Sequence, residues 1–237
     1  MENTTSKMTA DSTAEMNMET SMKKKEHEKI TYGSLFWLFL FGSVVGFVIE
    51  GLWSIYRKGN WESHSTLVLG YFCIIYGFGA VAIYLVSALL KGKNLLLQFV
   101  VFALAGSAVE YLGSLFQEVV FGSASWDYSG YFMNLHGRIC LQMTINWGIL
   151  GVAFGHFVFP AIVRLLEKTE NKAWHVACVL LSVFMLFNFV LSSAAVLRWR
   201  ERLVDKQMPS NALEQFLDDN YDDEAMRKNY PNLKFST

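Results

Sequence analysis

Two glutamates in apolar sequence are the residues whose chemistry most needs an explanation. Glu50 and Glu110 each stand well inside a long apolar run. An ionised carboxylate at the centre of a bilayer costs about 2.5–3.5 kcal/mol, so such acids are protonated, paired or in contact with water. Because intramembrane acids commonly line the paths of ions or substrates, we interpret both as substrate-binding candidates. The alternative is a buried polar lock that only fixes helix packing.

A polar segment after Glu110 holds most of the other candidate groups. A guanidinium can hold a carboxylate through two parallel hydrogen bonds, so we predict that Arg138 is the counter-ion of the glutamates. Asp127 is its rival partner. Asn134 and Gly137 suit an irregular re-entrant backbone, so we expect this segment to fold inward. The candidate substrate-binding residues are Glu50, Tyr76, Glu110, Trp126, Asp127, Tyr128, Asn134, His136 and Arg138.

Five apolar runs position these groups. The chain is 53% hydrophobic and only 17% charged, whereas soluble domains average about 25% charged. Each run reaches the roughly 20 residues that a helix needs to cross a bilayer, and unpaired backbone groups are not tolerated in lipid. We therefore predict an all-α, five-span integral membrane helical bundle, multi-pass in the cell membrane. The predicted spans are residues 32–56, 68–90, 95–121, 139–163 and 173–197.

The regions outside this transmembrane domain, residues 32–197, are polar. We predict that residues 1–31 form a disordered basic segment and that residues 198–237 form a soluble tail with a short helix. Asn211, with Glu214 three residues later, is typical of a helix start. Asp218 belongs to an acidic cluster that we interpret as a solvated surface. Basic residues are almost equally divided between the two sides, so the membrane orientation stays open.

The first and third apolar runs share a pattern. Both read G-x-x-x-E-x-L-x-S-[IL], beginning at Gly46 and at Gly106. We predict an internal repeat of a two-helix unit, spans 1–2 against spans 3–4; parallel repeats of this kind place the substrate at their interface in transporters. Chance similarity among membrane helices is the alternative. The other matching segments are Trp61-Glu62 with Trp126-Asp127, Gly70–Cys73 with Gly137–Cys140, and, with different spacing, Tyr76-Gly77 with Trp147-Gly148.

Charge and motifs exclude several functions. The net charge of −1 gives no basis for binding nucleic acid. No nucleotide-binding P-loop, G-x-S-x-G elbow or H-E-x-x-H motif occurs, so an ATP-driven role would need a separate ATPase subunit. No spacing of histidines and acids suits a metal, and we predict no metal and no cofactor.

Several segments resemble a known family. They are similar to the bacterial membrane family described as "putative ABC-transporter type IV", over about residues 42–167. Ile74 stands where the family usually has proline, and His136 stands where it usually has asparagine. The resemblance implies a permease. The segments that carry it are Gly46 to Glu50, Cys73-Ile-Ile-Tyr-Gly-Phe-Gly79, Trp126-Asp-Tyr-Ser129 and Asn134-Leu-His-Gly-Arg-Ile-Cys140.

Three functions remain open on the sequence. The first is a permease-like transporter component with a polar central cavity. The second is a membrane-embedded enzyme acting on a lipid or isoprenoid head group, with Arg138 on a phosphate; we favour a protein that is not an enzyme. The third is a non-catalytic membrane scaffold or regulator. The expected partners are the lipid bilayer and a separate ATPase subunit, and a homo-oligomer stays open.

Overall fold

The computed structural model describes residues 30–169 and 171–235. The basic segment predicted for residues 1–31 lies outside this range except for its last two residues. The described chain is nearly all-α, as predicted. Its helices are α1 (Tyr32–Lys58), α2 (Ile74–Leu89), α3 (Leu95–Phe121), α4 (Leu141–Ala153), α5 (Phe159–Glu167), α6 (Lys172–Arg200), α7 (Ala212–Asn220) and α8 (Asp223–Asn229). Two π-helical turns, Phe154–Val158 and Glu201–Asp205, follow α4 and α6.

Four helices are long and apolar enough to cross a membrane. They are α1, α3, the continuous helix formed by α4, the first π turn and α5, and α6 with the second π turn. The remaining predicted span, residues 68–90, is helical only over the 16 residues of α2. At 1.5 Å per residue α2 is about 24 Å long, less than the roughly 30 Å of hydrocarbon.

Helix α2 is short because the residues before it bind α6 instead of forming a helical turn. The backbone N–H of Val68 donates to Ser192 Oγ at 2.9 Å, and that of Leu69 donates to Asn188 Oδ1 at 3.1 Å. Asn188 returns a hydrogen bond from Nδ2 to the Leu69 carbonyl at 2.6 Å. Gly70 has a φ of 84°, which is incompatible with a right-handed helix. Apolar sequence here therefore belongs to a loop that is bonded to α6 and only partly buried, since Tyr71 is 71% exposed.

Glycines bring α1 close to α2 and α3 close to α4. A β-carbon at Gly46 would lie 2.3 Å from Cβ of Tyr76. One at Gly106 would lie 2.4 Å from Cγ of Trp147. Both distances are too short for any larger side chain, so each glycine admits an aromatic ring from the next helix.

The tail after α6 is folded onto the rest of the protein. Its helix α7 starts as predicted, because Asn211 Oδ1 accepts from the Glu214 N–H at 3.0 Å. The interpretation of the acidic cluster as a solvated surface is wrong for Asp218, which pairs with the buried Arg198. Leu217 and Met226 pack with Trp199 of α6 in a small apolar core.

The end of the tail joins two loops. Asn229 Nδ2 donates to the Leu67 carbonyl at 3.2 Å, and Tyr230 donates to the Thr66 carbonyl at 3.3 Å. Strand β2 (Lys234–Phe235) pairs antiparallel with β1 (Ser123–Ala124), which follows α3. The loops after α1 and α3 and the tail after α6 therefore lie at the same end of the molecule.

Candidate functional site: two glutamates and their aromatic donors

Glu110 is buried on α3, and aromatic side chains bind both of its carboxylate oxygens. Tyr128 Oη donates to Oε1 at 2.9 Å, and Trp147 Nε1 donates to Oε2 at 2.7 Å. One donor comes from the loop after α3 and the other from α4. Because Gly106 lies one helical turn before Glu110, the Trp147 ring fits against Gly106 while its N–H reaches the carboxylate.

Glu50 on α1 has an analogous helix donor but a more open setting. Tyr76 Oη donates to Glu50 Oε1 at 2.6 Å, and the Tyr76 ring packs on Gly46, one turn earlier. His64 Nδ1 lies 3.8 Å from Oε2, and the Glu50 side chain is 26% exposed. Glu50 therefore has one firmly occupied oxygen and one that is accessible.

The loop after α3 folds back along that helix, as the sequence predicted. Tyr128 reaches Glu110, and His136 Nδ1 lies 2.8 Å from Tyr111 Oη. Both α3 residues precede the helix end at Phe121 by about three turns, or roughly 15 Å. Non-helical backbone at such depth requires protein or water around it.

Three of the candidate residues hold this loop together instead of pointing into a site. Trp126 Nε1 donates to the Arg138 carbonyl at 3.1 Å. Asp127 Oδ1 accepts from the Ser129 N–H at 2.8 Å and from its hydroxyl, and these bonds hold the pKa of Asp127 below its ordinary value. Asn134 Nδ2 donates to the Ser129 carbonyl at 3.0 Å.

The backbone of this loop explains two of its residues. Gly137 has a φ of 68°, and a β-carbon there would lie 2.6 Å from Ser129 Oγ. His136 has a φ of 54°, a left-handed conformation in which asparagine and histidine are both enriched. The histidine at this position therefore keeps the backbone geometry that asparagine would favour.

Arg138 is not the counter-ion of the glutamates, so that prediction is wrong. Its Nη2 donates to Glu118 Oε2 at 2.5 Å, and its guanidinium carbon lies 5.4 Å from the centre of the Tyr111 ring. Asp127, the predicted rival, is bonded to Ser129 instead. Glu118 lies two turns beyond Glu110 on α3, nearer to the end of the helix from which the Arg138 loop starts. It is therefore the carboxylate with which Arg138 pairs.

This pairing predicts which double mutants are coupled. Arg138→Met and Glu118→Gln are each expected to destabilise the protein, and the double variant should cost less than the sum of the two, because both single changes remove the same ion pair. Arg138→Met combined with Glu110→Gln should instead be additive within about 0.5 kcal/mol. Thermal unfolding of the purified single and double variants measures both couplings. Coupling of Arg138 to Glu110 and not to Glu118 would instead support the prediction that Arg138 is the counter-ion of the glutamates.

Three residues of these clusters were missed on the sequence. Trp147 could have been found, because Trp147-Gly148 resembles Tyr76-Gly77 and Tyr76 was a candidate. Glu118 was not selected, because no sequence pattern indicated that Arg138 pairs with it instead of with Glu110 on the same helix. His64 approaches Glu50 only through the folded loop, which no local pattern reveals. Among the described residues, no group of three or more His, Cys, Asp and Glu side chains is arranged to hold a metal ion.

Carboxylates bound by aromatic donors, on apolar helices of spanning length, define a helical membrane protein with polar groups in its interior. The chain belongs to the family described as "Putative ABC-transporter type IV", whose sequence model matches residues 37–193, more than half of the chain. This match confirms the resemblance and extends it beyond residues 42–167. Neither the comparison with curated proteins nor that with solved structures found a match. Family and helices together indicate a membrane protein related to transport.

Proposed function

We propose that the chain is the permease-like component of a membrane transporter and that Glu50 and Glu110 carry its transport site. The single observation behind this proposal is the nature of their partners. Within the described residues, the Glu110 carboxylate is bound by the neutral donors Tyr128 and Trp147, and no basic side chain forms an ion pair with it. A carboxylate in an apolar helix without a fixed cation is suited to exchange a proton or a cationic substrate.

An internal repeat supports the same proposal. In each helix pair a glycine admits an aromatic ring, and that ring donates to the glutamate one turn further on. The helix pairs α1–α2 and α3–α4 thus share this local arrangement of side chains as well as a sequence pattern. We infer that they are copies of one unit. In transporters built from repeats, the substrate binds where the copies meet.

One observation favours a scaffold or regulator as the second candidate. Both oxygens of Glu110 already have protein donors. Such complete bonding is expected of a buried polar group that only fixes helix packing. Glu50 is less completely bonded, and for that reason we place transport first. The enzyme hypothesis is less favoured, because Nη2 of Arg138, its proposed phosphate-binding group, already pairs with Glu118.

The proposal includes a multi-pass location in the cell membrane. Helix α2, which is shorter than the bilayer, would pack against the other helices of the bundle. Because the sequence lacks a P-loop, a separate ATPase subunit would supply energy if transport is ATP-driven.

The test is transport by membrane vesicles from cells that express the full chain. We expect uptake or efflux of a panel of labelled cations to exceed that of vesicles without the chain. Glu110→Gln should abolish the difference while the protein still accumulates in the membrane, because the amide can keep the aromatic contacts but cannot carry charge. Transport that is unchanged in Glu110→Gln and in Glu50→Gln would refute the proposal. Asp219→Asn, on the exposed tail, is the matched control.

A further inference from the structure

We propose that Glu50 Oε2 and the exposed ring of Trp61 form a binding site for a protonated amine. The inference rests on the proposed function, since it names the class of cation that the permease would take. It assigns the two glutamates different roles: Glu50 meets the ligand, whereas Glu110 is closed by the protein's own side chains.

The two glutamates differ in one donor. Each has a donor from the following helix, Tyr76 for Glu50 and Trp147 for Glu110. Glu110 has a second donor, Tyr128, from the intervening loop. In the matching segment of the first loop, Trp61-Glu62-Ser63 aligns with Trp126-Asp127-Tyr128, so Ser63 stands where Tyr128 stands. A serine side chain is too short to make the bond that the tyrosine makes.

Glu50 Oε2 is consequently available to a ligand. No donor within the described residues hydrogen-bonds to it, and His64 Nδ1, at 3.8 Å, is beyond hydrogen-bond distance. The His64 nitrogen instead lies 3.2 Å from Asn232 Nδ2 of the tail. The 26% exposure of the Glu50 side chain shows that the carboxylate can be reached from outside the protein.

Two aromatic rings lie on the part of α1 that carries Glu50. The Trp61 ring packs on the backbone next to Glu50, because a β-carbon at Gly51 would lie 2.1 Å from Trp61 Cη2. Phe47, one turn earlier on α1, has its ring centre 5.6 Å from that of Trp61. Trp61 is 46% exposed, so one part of its ring remains open. An indole face is the best side-chain partner for an organic cation.

The chemistry of the site selects the ligand class. A neutral donor would satisfy Oε2 but leave the carboxylate charge uncompensated. A hard metal ion prefers six or more oxygen ligands, and the described residues offer no such group here. A protonated amine supplies the N–H that Ser63 cannot, neutralises Glu50 and gains from the Trp61 ring. A primary ammonium with an apolar or aromatic body fits these groups best.

The test compares two probes on the purified full-length protein in detergent. Phenethylammonium chloride carries the charge, and 2-phenylethanol has a similar shape without it. We expect the ammonium to raise the midpoint of thermal unfolding in a saturable manner, because a ligand that binds only the folded state stabilises it. The alcohol should not do so. Equal shifts with both probes would overturn the proposal.

Variants locate the binding. Glu50→Gln should eliminate the ammonium-dependent shift, whereas Glu62→Gln, which removes an acid of the following loop that is paired with Lys58, should keep it. Ser63→Tyr adds the missing loop donor and should compete with the ammonium, so that the shift is lost while the unliganded protein stays folded. Should Glu50→Gln not fold, titration calorimetry of Trp61→Leu replaces it, with about tenfold weaker binding expected. A shift that persists in Ser63→Tyr and undiminished affinity in Trp61→Leu would refute the site.

The outcome is separable from the test of transport. Saturable amine binding that needs Glu50, with no transport by vesicles, would leave this site standing and refute the permease. Transport that depends on Glu110, with no amine binding at Glu50, would do the opposite.

Discussion

Replacing Trp147 with phenylalanine is expected to lower the free energy of unfolding by about 1–3 kcal/mol, and by more if Glu110 is ionised. The substitution keeps an aromatic ring against Gly106 but removes the N–H that donates to Glu110 Oε2 at 2.7 Å. A buried acceptor would then lose one of its two donors. Thermal and chemical unfolding of the purified variant measure the loss.

A double-mutant cycle assigns this loss to the hydrogen bond. With Glu110→Leu in the background, Trp147→Phe should cost little, because removing both partners of a buried pair leaves nothing unsatisfied. Trp53→Phe is the matched control, since Trp53 is 53% exposed and should change stability by less than about 0.5 kcal/mol. An equal effect of Trp147→Phe with and without Glu110 would mean that only packing was lost.

The helices long enough to span a membrane follow directly from the sequence, because apolarity over a sufficient length predicts them. Helix α3 has the predicted limits, Leu95 and Phe121, and α1 begins at the predicted Tyr32. Residues 68–73 show where the argument fails. They are as apolar as a span, but side chains of α6 bind the backbone at their start: Ser192 accepts from Val68, and Asn188 accepts from Leu69. Hydropathy alone cannot distinguish a membrane helix from a loop that is tied to protein.

The candidate site, too, was predicted only in part, because contacts made by folded loops cannot be read from the sequence. Both glutamates, Tyr76 and Tyr128 were selected on the sequence, and the structure joins each tyrosine to one glutamate. The assignment of Arg138 failed because residue type and depth were known but the path of its loop was not. A counter-ion is chosen by distance, and Glu118 lies nearer in the folded chain. The analogous placement of Trp147 was visible only as a weak similarity to Tyr76.

The ion pair that fixes the tail was not predicted, because the acidic cluster that contains Asp218 was interpreted as a solvated surface. Arg198 Nε and Nη2 donate to the two oxygens of Asp218 at 2.9 and 2.8 Å. The Arg198 side chain is only 2% exposed. Hydrogen bonds from Arg198 hold the pKa of Asp218 below its ordinary value of 3.8, so the carboxylate is ionised and the pair is complete at neutral pH.

Asp218→Asn is therefore expected to release the tail from α6. Removing one partner of a buried ion pair costs about 3–5 kcal/mol, because the other charge stays buried without full compensation. Glu201, at 3.1 Å from Arg198, remains as a partial partner, so we expect the lower end of this range. Amide hydrogen exchange at neutral pH is the measurement, because it reports local opening. Exchange in α7 should accelerate by about a hundredfold, since each 1.4 kcal/mol corresponds to a factor of ten.

The neighbouring acid provides the control for this result. Asp219 is bonded to Gln215 of its own helix, so Asp219→Asn changes the net charge by the same amount without touching Arg198, and exchange in α7 should stay near the wild-type rate. Arg198→Met should be milder than Asp218→Asn, because it removes the buried charge itself and Asp218 keeps its ion pair with Arg202. Because the released tail also withdraws the hydrogen bonds of Asn229 and Tyr230 to the carbonyls of Leu67 and Thr66, Asp218→Asn should speed exchange at Thr66 and Leu67 as well. Unchanged exchange in α7 would show that the apolar contacts of Leu217 and Met226, rather than the ion pair, hold the tail on α6.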